Sequence, residues 1–336
     1  MGRQRSVIVV TSPEIWRLWG ERFGSSFASR KTPLHMLFVP PGERHKRLAT
    51  VERLASEMSA AGAKRDALLV AFGGGVVGDM TGFLAAIYMR GIRYIQVPTT
   101  YLAQIDSSIG GKTGVNLSTG KNLIGSFHHP LAVFTDPAIL STLPAAELRA
   151  GMVESVKAAV LGDARFFYWL ETNFDNLLAG EEGFLTRAIS TSIAIKAAIV
   201  AADERESGRR MLLNLGHTVG HAIEAVTRYR RLLHGEAIAW GMIAALHLSV
   251  ARKTLPPAQA QRIEDLLFRL GPFRRFPATA EALLKATLAD KKHLQSAQRF
   301  VLPVAIGKAV VVEDVTRQEL LAAIHSMLLV VKERGA

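Results

Sequence analysis

The 336-residue sequence contains no cysteine. That absence excludes disulfide bonds and thiolate metal sites, and it is typical of a cytoplasmic protein. The sequence also lacks an unbroken apolar run of the roughly 18 residues that a membrane span needs. The basic start, MGRQRSVIVVTS, has too short an apolar core for a signal peptide. We therefore expect a cytoplasmic protein with no membrane partner.

Acidic residues are few relative to basic ones: 41 lysines and arginines against 29 acidic residues give a formal charge of +12. Such a balance is compatible with nucleic-acid binding. The basic residues are scattered, however, and the densest groups, residues 43–47 and 228–231, are short. The pattern argues against a nucleic-acid partner. It indicates either a solvated basic surface or, as the more specific alternative, a basic excess that partly lines a pocket for a small anion.

Short β-branched runs alternate with helical patterns in the first part of the chain. Strands are predicted at residues 6–12, 35–43, 66–75, 94–100 and 132–136, and a helix at residues 50–64. This alternation predicts a Rossmann-like α/β domain, with a parallel sheet covered on both faces. Later, Ala/Leu-rich helical patterns dominate, with one strand signal at residues 299–312. We expect an α/β domain over residues 1–146, a mainly α-helical domain over residues 147–336, and a site in a cleft between them.

A glycine motif follows the third predicted strand. Gly73, Gly75 and Gly78 have the spacing G-x-G-x-x-G and precede a predicted helix. Glycines there let the backbone approach a pyrophosphate, and the N–H groups of the helix start face the anion. The acidic residue expected about 20 positions on is missing, and Glu43 is the candidate to bind a ribose instead. This context favours nucleotide binding over a purely structural turn.

A second glycine-rich stretch, residues 104–127, holds five glycines together with Asp106, Lys112, Lys121 and Asn122. It is too polar for a core. It also lacks the first glycine of a Walker loop. We interpret it as a flexible anion-binding loop beside the cofactor rather than as an ordinary surface loop.

Without cysteine, a metal site must use His, Asp or Glu. His217 and His221 lie four residues apart on one face of a predicted buried helix, and His234 follows. Glu154 lies in an Ala/Val-rich helix, where a carboxylate is costly unless it is paired or binds a metal. Spacing alone favours His217 and His221 as a ligand pair, with hydrogen-bonded core histidines as the alternative.

Further polar side chains accompany these candidates: Lys157, Lys196, Arg210 and Asn214. Cations in apolar helices need an anionic partner. A phosphorylated or carboxylated substrate would provide one.

Six segments together carry a family resemblance: GGGVVGDMTGF, YMRGIRYIQVPTTYLAQIDSSIGGKTGVN, GKNLIGSF, ELRAGMVESVK, DERESGRRMLLNLGHTVGHAIE and LLHGEAIAWGM. In this order and spacing, they resemble the 3-dehydroquinate synthase family. The resemblance implies an NAD-binding domain, a helical metal domain and a homodimer. It also implies conversion of 3-deoxy-arabino-heptulosonate 7-phosphate to 3-dehydroquinate and phosphate, in the shikimate route. NAD would be used catalytically, through transient oxidation, phosphate elimination, re-reduction and intramolecular aldol closure.

The resemblance also implies roles for individual residues. For one divalent metal, Zn²⁺ or Co²⁺, it implies Glu154, His217 and His234 as ligands, and it moves His221 to the substrate side. For the substrate it implies Arg90, Asp106, Lys112, Asn122, Lys157, Lys196, Arg210, Asn214, His221 and one of Lys291 and Lys292, of which we favour Lys292. For NAD it implies Glu43, Lys46, Gly75, Val76, Val77, Gly78, Asp79, Thr99, Thr100, Lys112, Lys121, Ile139, Leu140, Ser141 and Thr142.

Three alternative functions are open. Related sugar-phosphate cyclases share the fold, NAD and metal but form other carbocycles, although Asn122, Asn214 and His221 fit the dehydroquinate pattern. An NAD- and metal-dependent polyol dehydrogenase would consume NAD in net turnover, and the GGKTGVN and GKN segments argue against it. A nucleic-acid-binding protein would leave the glycine motif and the Glu-His-His set unexplained.

Overall fold

A computed structural model describes residues 6–28, 34–206, 208–289 and 299–336 of the chain. The chain divides into two compact units, Met1–Pro144 and Ala145–Ala336. We call the first the sheet unit and the second the helical unit.

The sheet unit is built on four parallel strands in the order β2-β1-β3-β4. They are β1 (Val7–Thr11), β2 (Leu34–Phe38), β3 (Leu68–Gly73) and β4 (Arg93–Pro98). Ile8 pairs with His35 on one side and with Leu69 on the other. The strand order reverses between β1 and β3, which makes the turns after these strands a topological switch point, where α/β sheets bind ligands. The predicted parallel sheet is confirmed.

Three helices cover this sheet. They are α1 (Pro13–Ala28), α2 (Leu48–Ala60) and α3 (Gly75–Ile87). Ile8, Val10 and Leu69 belong to a buried cluster with side chains of α2 and α3. On the opposite face, Phe72 of β3 stacks on Phe23 of α1, with ring centroids 4.5 Å apart. Because both faces are buried, the central strands β1 and β3 are nearly continuous runs of apolar residues rather than alternating ones.

Two segments of the sheet unit differ from the sequence-based expectations. Residues 104–127, interpreted as a flexible loop, contain most of a helical turn, Ala103–Ser107, and an antiparallel hairpin of β5 (Lys112–Val115) and β6 (Ile124–Phe127). Strand pairing satisfies backbone groups that an open glycine-rich loop would leave to water. The strand predicted at residues 132–136 is reduced to one parallel bridge, between Gln96 and Val133. It ends where the Asp136 carboxylate accepts a hydrogen bond from the Ala138 N–H and starts a new turn.

The helical unit contains nine helices and one hairpin within its described residues. The helices are α4 (Ala145–Gly162), α5 (Ala164–Thr172), α6 (Phe174–Leu178), α7 (Glu182–Ala202), α8 (His217–Val226), α9 (His234–Ala251), α10 (Pro257–Arg269), α11 (Ala280–Ala289) and α12 (Arg317–Arg334), and the strands are β7 (Phe300–Ala305) and β8 (Lys308–Val312). Helix α9 is apolar around most of its circumference and packs against α4, α8 and α12. A helix of that composition is expected at the centre of its unit.

Helix α7 has the length and apolar composition of a membrane span, the one helix in the described part of the chain that does. No unbroken apolar run marks it in the sequence, because Thr, Ser and Lys interrupt it. Core helices of soluble proteins share this length and composition. The helix packs against α4, where the hydroxyls of Ser192 and Ser155 lie 2.8 Å apart.

Candidate functional site

The residues predicted to bind NAD lie where the sheet strands end. Glu43 and Lys46 follow β2, residues 75–79 follow β3, and residues 99 and 100 follow β4. Residues 139–142 belong to the short helical turn Pro137–Thr142. Since the carboxyl ends of parallel strands meet at one edge of a sheet, most of these residues share that edge despite their separation in sequence.

The glycine motif forms the turn between β3 and α3. Gly74 is the N-cap of α3, and as a glycine it has no side chain that could cap the N–H groups of the first turn. The N–H groups of that turn are therefore suited to an anion. The glycine at 78 has a different role: a Cβ there would lie 2.7 Å from Gln96 Oε1 on β4. Gly78 thus permits close packing of the helix on the sheet.

A polar network joins two of these segments. The buried Lys46 ammonium lies 2.5 Å from the Asp79 carboxylate and also donates to Asn122 Oδ1. Asn116 Nδ2 donates to Glu43 Oε1 at 2.8 Å, and Asn116 Oδ1 accepts from the Asn122 N–H at 2.8 Å. The network therefore holds predicted NAD residues and a predicted substrate residue in fixed positions relative to one another.

Sequence reasoning missed Asn116. It lies in an Asn-Leu-Ser triplet that resembles a glycosylation pattern, and nothing in that pattern indicates a partner at residue 43. Thr11 was also missed. The Thr11 and Thr99 hydroxyls, at the carboxyl ends of β1 and β4, are buried and have no hydrogen-bond partner among the described residues. A buried hydroxyl without a partner is costly, so both fit a ligand that brings polar atoms to this edge.

The predicted substrate residues of the sheet unit occupy turns and a strand start. Arg90 and Asn122 have φ angles of 65° and 56°, in the left-handed region that non-glycine residues rarely adopt. Asp106 lies in the turn Ala103–Ser107, Lys112 begins β5, and Lys121 precedes Asn122. Left-handed residues cost about 1 kcal/mol or more and cluster at functional sites, which supports a ligand-binding role for Arg90 and Asn122.

The predicted metal ligands meet in the helical unit. Glu154 on α4, His217 at the start of α8 and His234 at the start of α9 offer ligand atoms within 4.8 Å of one another. Glu154 is 3% exposed, and neither carboxylate oxygen has a hydrogen-bond partner within the described chain, although Oε2 forms an ion pair with Lys157. His217 Nε2 lies 3.9 Å from Glu154 Oε1. A buried carboxylate with unused lone pairs beside two imidazoles fits a divalent metal.

Two glycines let the three helices approach closely enough to form this group. A Cβ at Gly235 of α9 would lie 1.8 Å from the Ala150 carbonyl oxygen of α4. A Cβ at Gly241 of α9 would lie 1.9 Å from the Gly216 carbonyl oxygen, immediately before α8. Any larger side chain at either position would separate helices that carry different members of the group.

The two imidazoles have different surroundings. Burial, followed by the charge of Lys157, lowers the pKa of His217 well below its ordinary value, which keeps the ring neutral as a metal ligand must be. For His234, burial alone would lower the pKa, but the hydrogen bond and charge of Glu224 outweigh it and raise the pKa. His217 Nδ1 lies 3.1 Å from the Leu215 carbonyl oxygen, and His234 Nδ1 lies 3.4 Å from Glu224 Oε1.

A second group shares one member with the first. His221, Glu224 and His234 also offer ligand atoms within 4.8 Å of one another. The His221 ring lies 5.2 Å from the His217 ring and 6.1 Å from the His234 ring, between centroids. Neither group contains both His217 and His221, the pair that spacing alone favoured. Glu224 was missed, although its position three residues after His221 on the same helix was a readable signal.

The remaining predicted substrate residues of the helical unit lie on α4, on α7 and in the turn Arg209–Asn214, which packs against both helices. Lys157 and Arg210 are each 2% exposed, and Lys196 is half-buried. Asn214 Nδ2 donates to Glu206 Oε1 at 2.9 Å. Lys291 and Lys292 lie outside the described residues.

Comparison with known proteins identifies relatives of both units. The family models for the N-terminal and C-terminal parts of 3-dehydroquinate synthase match residues 36–150 and 151–293. The 3-dehydroquinate synthase of Solibacter usitatus is 46% identical over 96% of this chain and 90% of that relative.

Two solved structures are similar over nearly the whole chain. The 2-epi-5-epi-valiolone synthase of Streptomyces hygroscopicus, with NAD⁺ and Zn²⁺ bound, has a TM-score of 0.89 and 31% identity, covering 96% of this chain and 90% of that one. A 2-deoxy-scyllo-inosose synthase complexed with carbaglucose-6-phosphate, NAD⁺ and Co²⁺ has a TM-score of 0.82 and 28% identity, covering 97% and 92%.

Proposed function

The chain belongs to the 3-dehydroquinate synthase family, and from that premise we propose that it converts 3-deoxy-arabino-heptulosonate 7-phosphate to 3-dehydroquinate and phosphate. The observation that carries the proposal is the buried Glu154 carboxylate, with unused lone pairs, beside the imidazoles of His217 and His234. A carboxylate and two imidazoles leave room for a substrate oxygen in a catalytic metal site.

The two units hold the cofactors separately in this proposal. Turns of the sheet unit bind NAD. In the helical unit, Glu154, His217 and His234, which we call the trio, bind one divalent ion, Zn²⁺ or Co²⁺. When bound, the ion supplies Lewis-acid polarisation of a substrate hydroxyl, and NAD supplies a transient hydride acceptor. The unpartnered hydroxyls of Thr11 and Thr99 support the cofactor assignment to the sheet unit.

The chain's own residues bind the anionic ends of the substrate. Lys157 forms an ion pair with Glu154, so its ammonium lies beside a proposed metal ligand. Lys196, Arg210 and Lys292 are assigned to the phosphate and carboxylate groups, together with Arg90 and Lys112 of the sheet unit, and Asp106, Asn122 and Asn214 to polar groups. His221 is exposed next to both ligand imidazoles, which supports a contact with substrate rather than with metal.

We extend the proposal to a homodimer. Leu123, Phe127, Leu131 and Phe134 are large apolar side chains with exposures of 58%, 48%, 63% and 58%. They lie within a span of 12 residues that begins just before β6 and continues into the segment after it. Exposed apolar groups of this kind are typical of a protein interface. Sedimentation of the purified chain tests this point independently of activity.

The enzymatic proposal is tested by supplying the heptulosonate phosphate with Zn²⁺ or Co²⁺ and with NAD far below the substrate concentration. Phosphate and dehydroquinate should form in equal amounts and exceed the NAD added. NADH that accumulates with turnover would instead identify a polyol dehydrogenase. Turnover of a different sugar phosphate, with none of the heptulosonate, would identify one of the related cyclases.

A further inference from the structure

Glu224 is a buried carboxylate beside the proposed metal ligands, and none of the roles assigned above includes it. It lies on α8 with 5% of its surface exposed. A carboxylate is costly to bury unless a charged or donating group faces it. Its Oε1 faces His234 Nδ1 across 3.4 Å.

An imidazole that binds a metal uses one ring nitrogen, and the partner of the other nitrogen fixes the ring's tautomer and direction. His217 shows this arrangement with a neutral partner: Nδ1 faces the Leu215 carbonyl, and Nε2 lies on the Glu154 side. Glu224 provides the charged counterpart for His234. An acceptor on Nδ1 leaves Nε2 of His234 as the nitrogen for the metal.

We propose that Glu224 is a positioning residue, which accepts the Nδ1–H of His234 and so fixes that ring as a ligand. The inference depends on the proposed trio of Glu154, His217 and His234. Glu224 is also close enough to His221 and His234 to act as a ligand itself. The contact with Nδ1 argues against that, because a nitrogen that donates its proton to Glu224 cannot bind the metal and leaves Nε2 to do so.

The test compares three variants by their zinc affinity, measured by competition with a chelator on the full chain. Glu224→Gln keeps the shape and removes the charge, and we expect zinc affinity to fall about 10- to 100-fold, as for partners of metal-bound histidines elsewhere. Glu264→Gln is the matched control, since Glu264 Oε1 faces His247 Nε2 at 3.0 Å in the same unit. His247 lies 13 residues beyond His234 on α9, about 20 Å along the helix. This control should bind zinc like the unmodified chain.

Glu154→Gln separates this inference from the proposed function. If it binds zinc normally, the trio is wrong and the inference falls with it. If Glu154→Gln loses zinc while Glu224→Gln stays within twofold of the unmodified chain, only the role of Glu224 is refuted.

A cobalt spectrum distinguishes positioning from ligation. At saturating Co²⁺, Glu224→Gln should keep the absorption bands of the unmodified protein, because the ligands are unchanged. A change in band position and intensity would make Glu224 a ligand and overturn the positioning role. If the variant does not fold, long-range ¹⁵N–¹H spectra of the zinc-loaded unmodified chain decide: the proposal requires the His234 proton on Nδ1, and a proton on Nε2 contradicts it.

Discussion

Gly241→Ala should destabilise the helical unit and weaken metal binding together. The added Cβ would lie 1.9 Å from the Gly216 carbonyl oxygen and 2.8 Å from the Gly220 nitrogen, whereas ordinary contacts begin at 3.4 Å. Both obstacles are backbone atoms, so no side chain can rotate away. The helices α8 and α9 must separate by about 1.5 Å at this point.

The magnitude follows from two opposing effects. Overpacking of a rigid core costs about 1–3 kcal/mol, and backbone obstacles place this site at about 3 kcal/mol. Alanine in a helix interior recovers about 1 kcal/mol relative to glycine. The net loss is therefore about 2 kcal/mol. The separation of α8 and α9 by about 1.5 Å also exceeds the roughly 0.2 Å tolerance of metal–ligand distances. Zinc affinity should therefore fall as well.

Urea unfolding followed by circular dichroism measures the first effect, and chelator competition measures the second. Gly183→Ala is the matched control, because a Cβ at Gly183 in the first turn of α7 meets nothing within 4 Å. It should be neutral or stabilising by about 0.5 kcal/mol. A Gly241→Ala protein with unchanged unfolding midpoint and zinc affinity would refute the argument that close helix approach builds the site.

Three further predictions concern other contacts. Lys46→Met removes a buried ammonium from the network of the sheet unit, and NAD affinity, measured by titration calorimetry, should fall about 10-fold or more; unchanged NAD affinity would remove Lys46 from the cofactor site. Asn116→Ala removes the hydrogen-bond donor to Glu43, and NAD affinity should fall several-fold while zinc affinity stays constant. An equal fall in zinc affinity would indicate general unfolding instead. The hydrogen bonds from Arg252 lower the pKa of Glu319 to about 2. Because the pKa is lower in the folded protein, the ionised carboxylate stabilises the fold at a pH above its ordinary pKa of 4.5. That stabilisation is lost as the pH falls towards 2. Because 35% of the Glu319 side chain is exposed, the loss should be no more than about 1 kcal/mol, and Glu319→Gln should remove that part of the pH dependence of the urea midpoint.

The parallel sheet was predictable because burial on both faces imposes long apolar runs. The pattern at residues 66–75 therefore indicates a central strand without knowledge of its neighbours. The hairpin at β5 and β6 was not predictable in the same way. Its glycines and lysines resemble a loop, and the pairing of Lys112 with Phe127 depends on a partner 15 residues away.

For the metal candidates too, contacts between separate elements could not be predicted from local sequence patterns. Helical spacing correctly places His217 and His221 side by side, but it does not indicate which other helices face them. Glu154 and His234 come from α4 and α9, and only the family resemblance connected them with His217. Asn116 and Glu224 end two of the segments that carry the resemblance, yet neither approach gave them a role. Their partners, Glu43 and His234, belong to other segments, and no motif spacing indicates those contacts.

The network around Asn116 has a thermodynamic consequence for the arrival of the cofactor. Glu43 and Asn116 are 73 positions apart in the sequence, and Lys46 and Asn122 are 76 apart, yet the side chains of each pair are in direct contact. Side chains that hydrogen bonds already hold in place lose little conformational entropy when a ligand binds. Cofactor binding at this part of the sheet unit should therefore require little additional ordering of the side chains that form it.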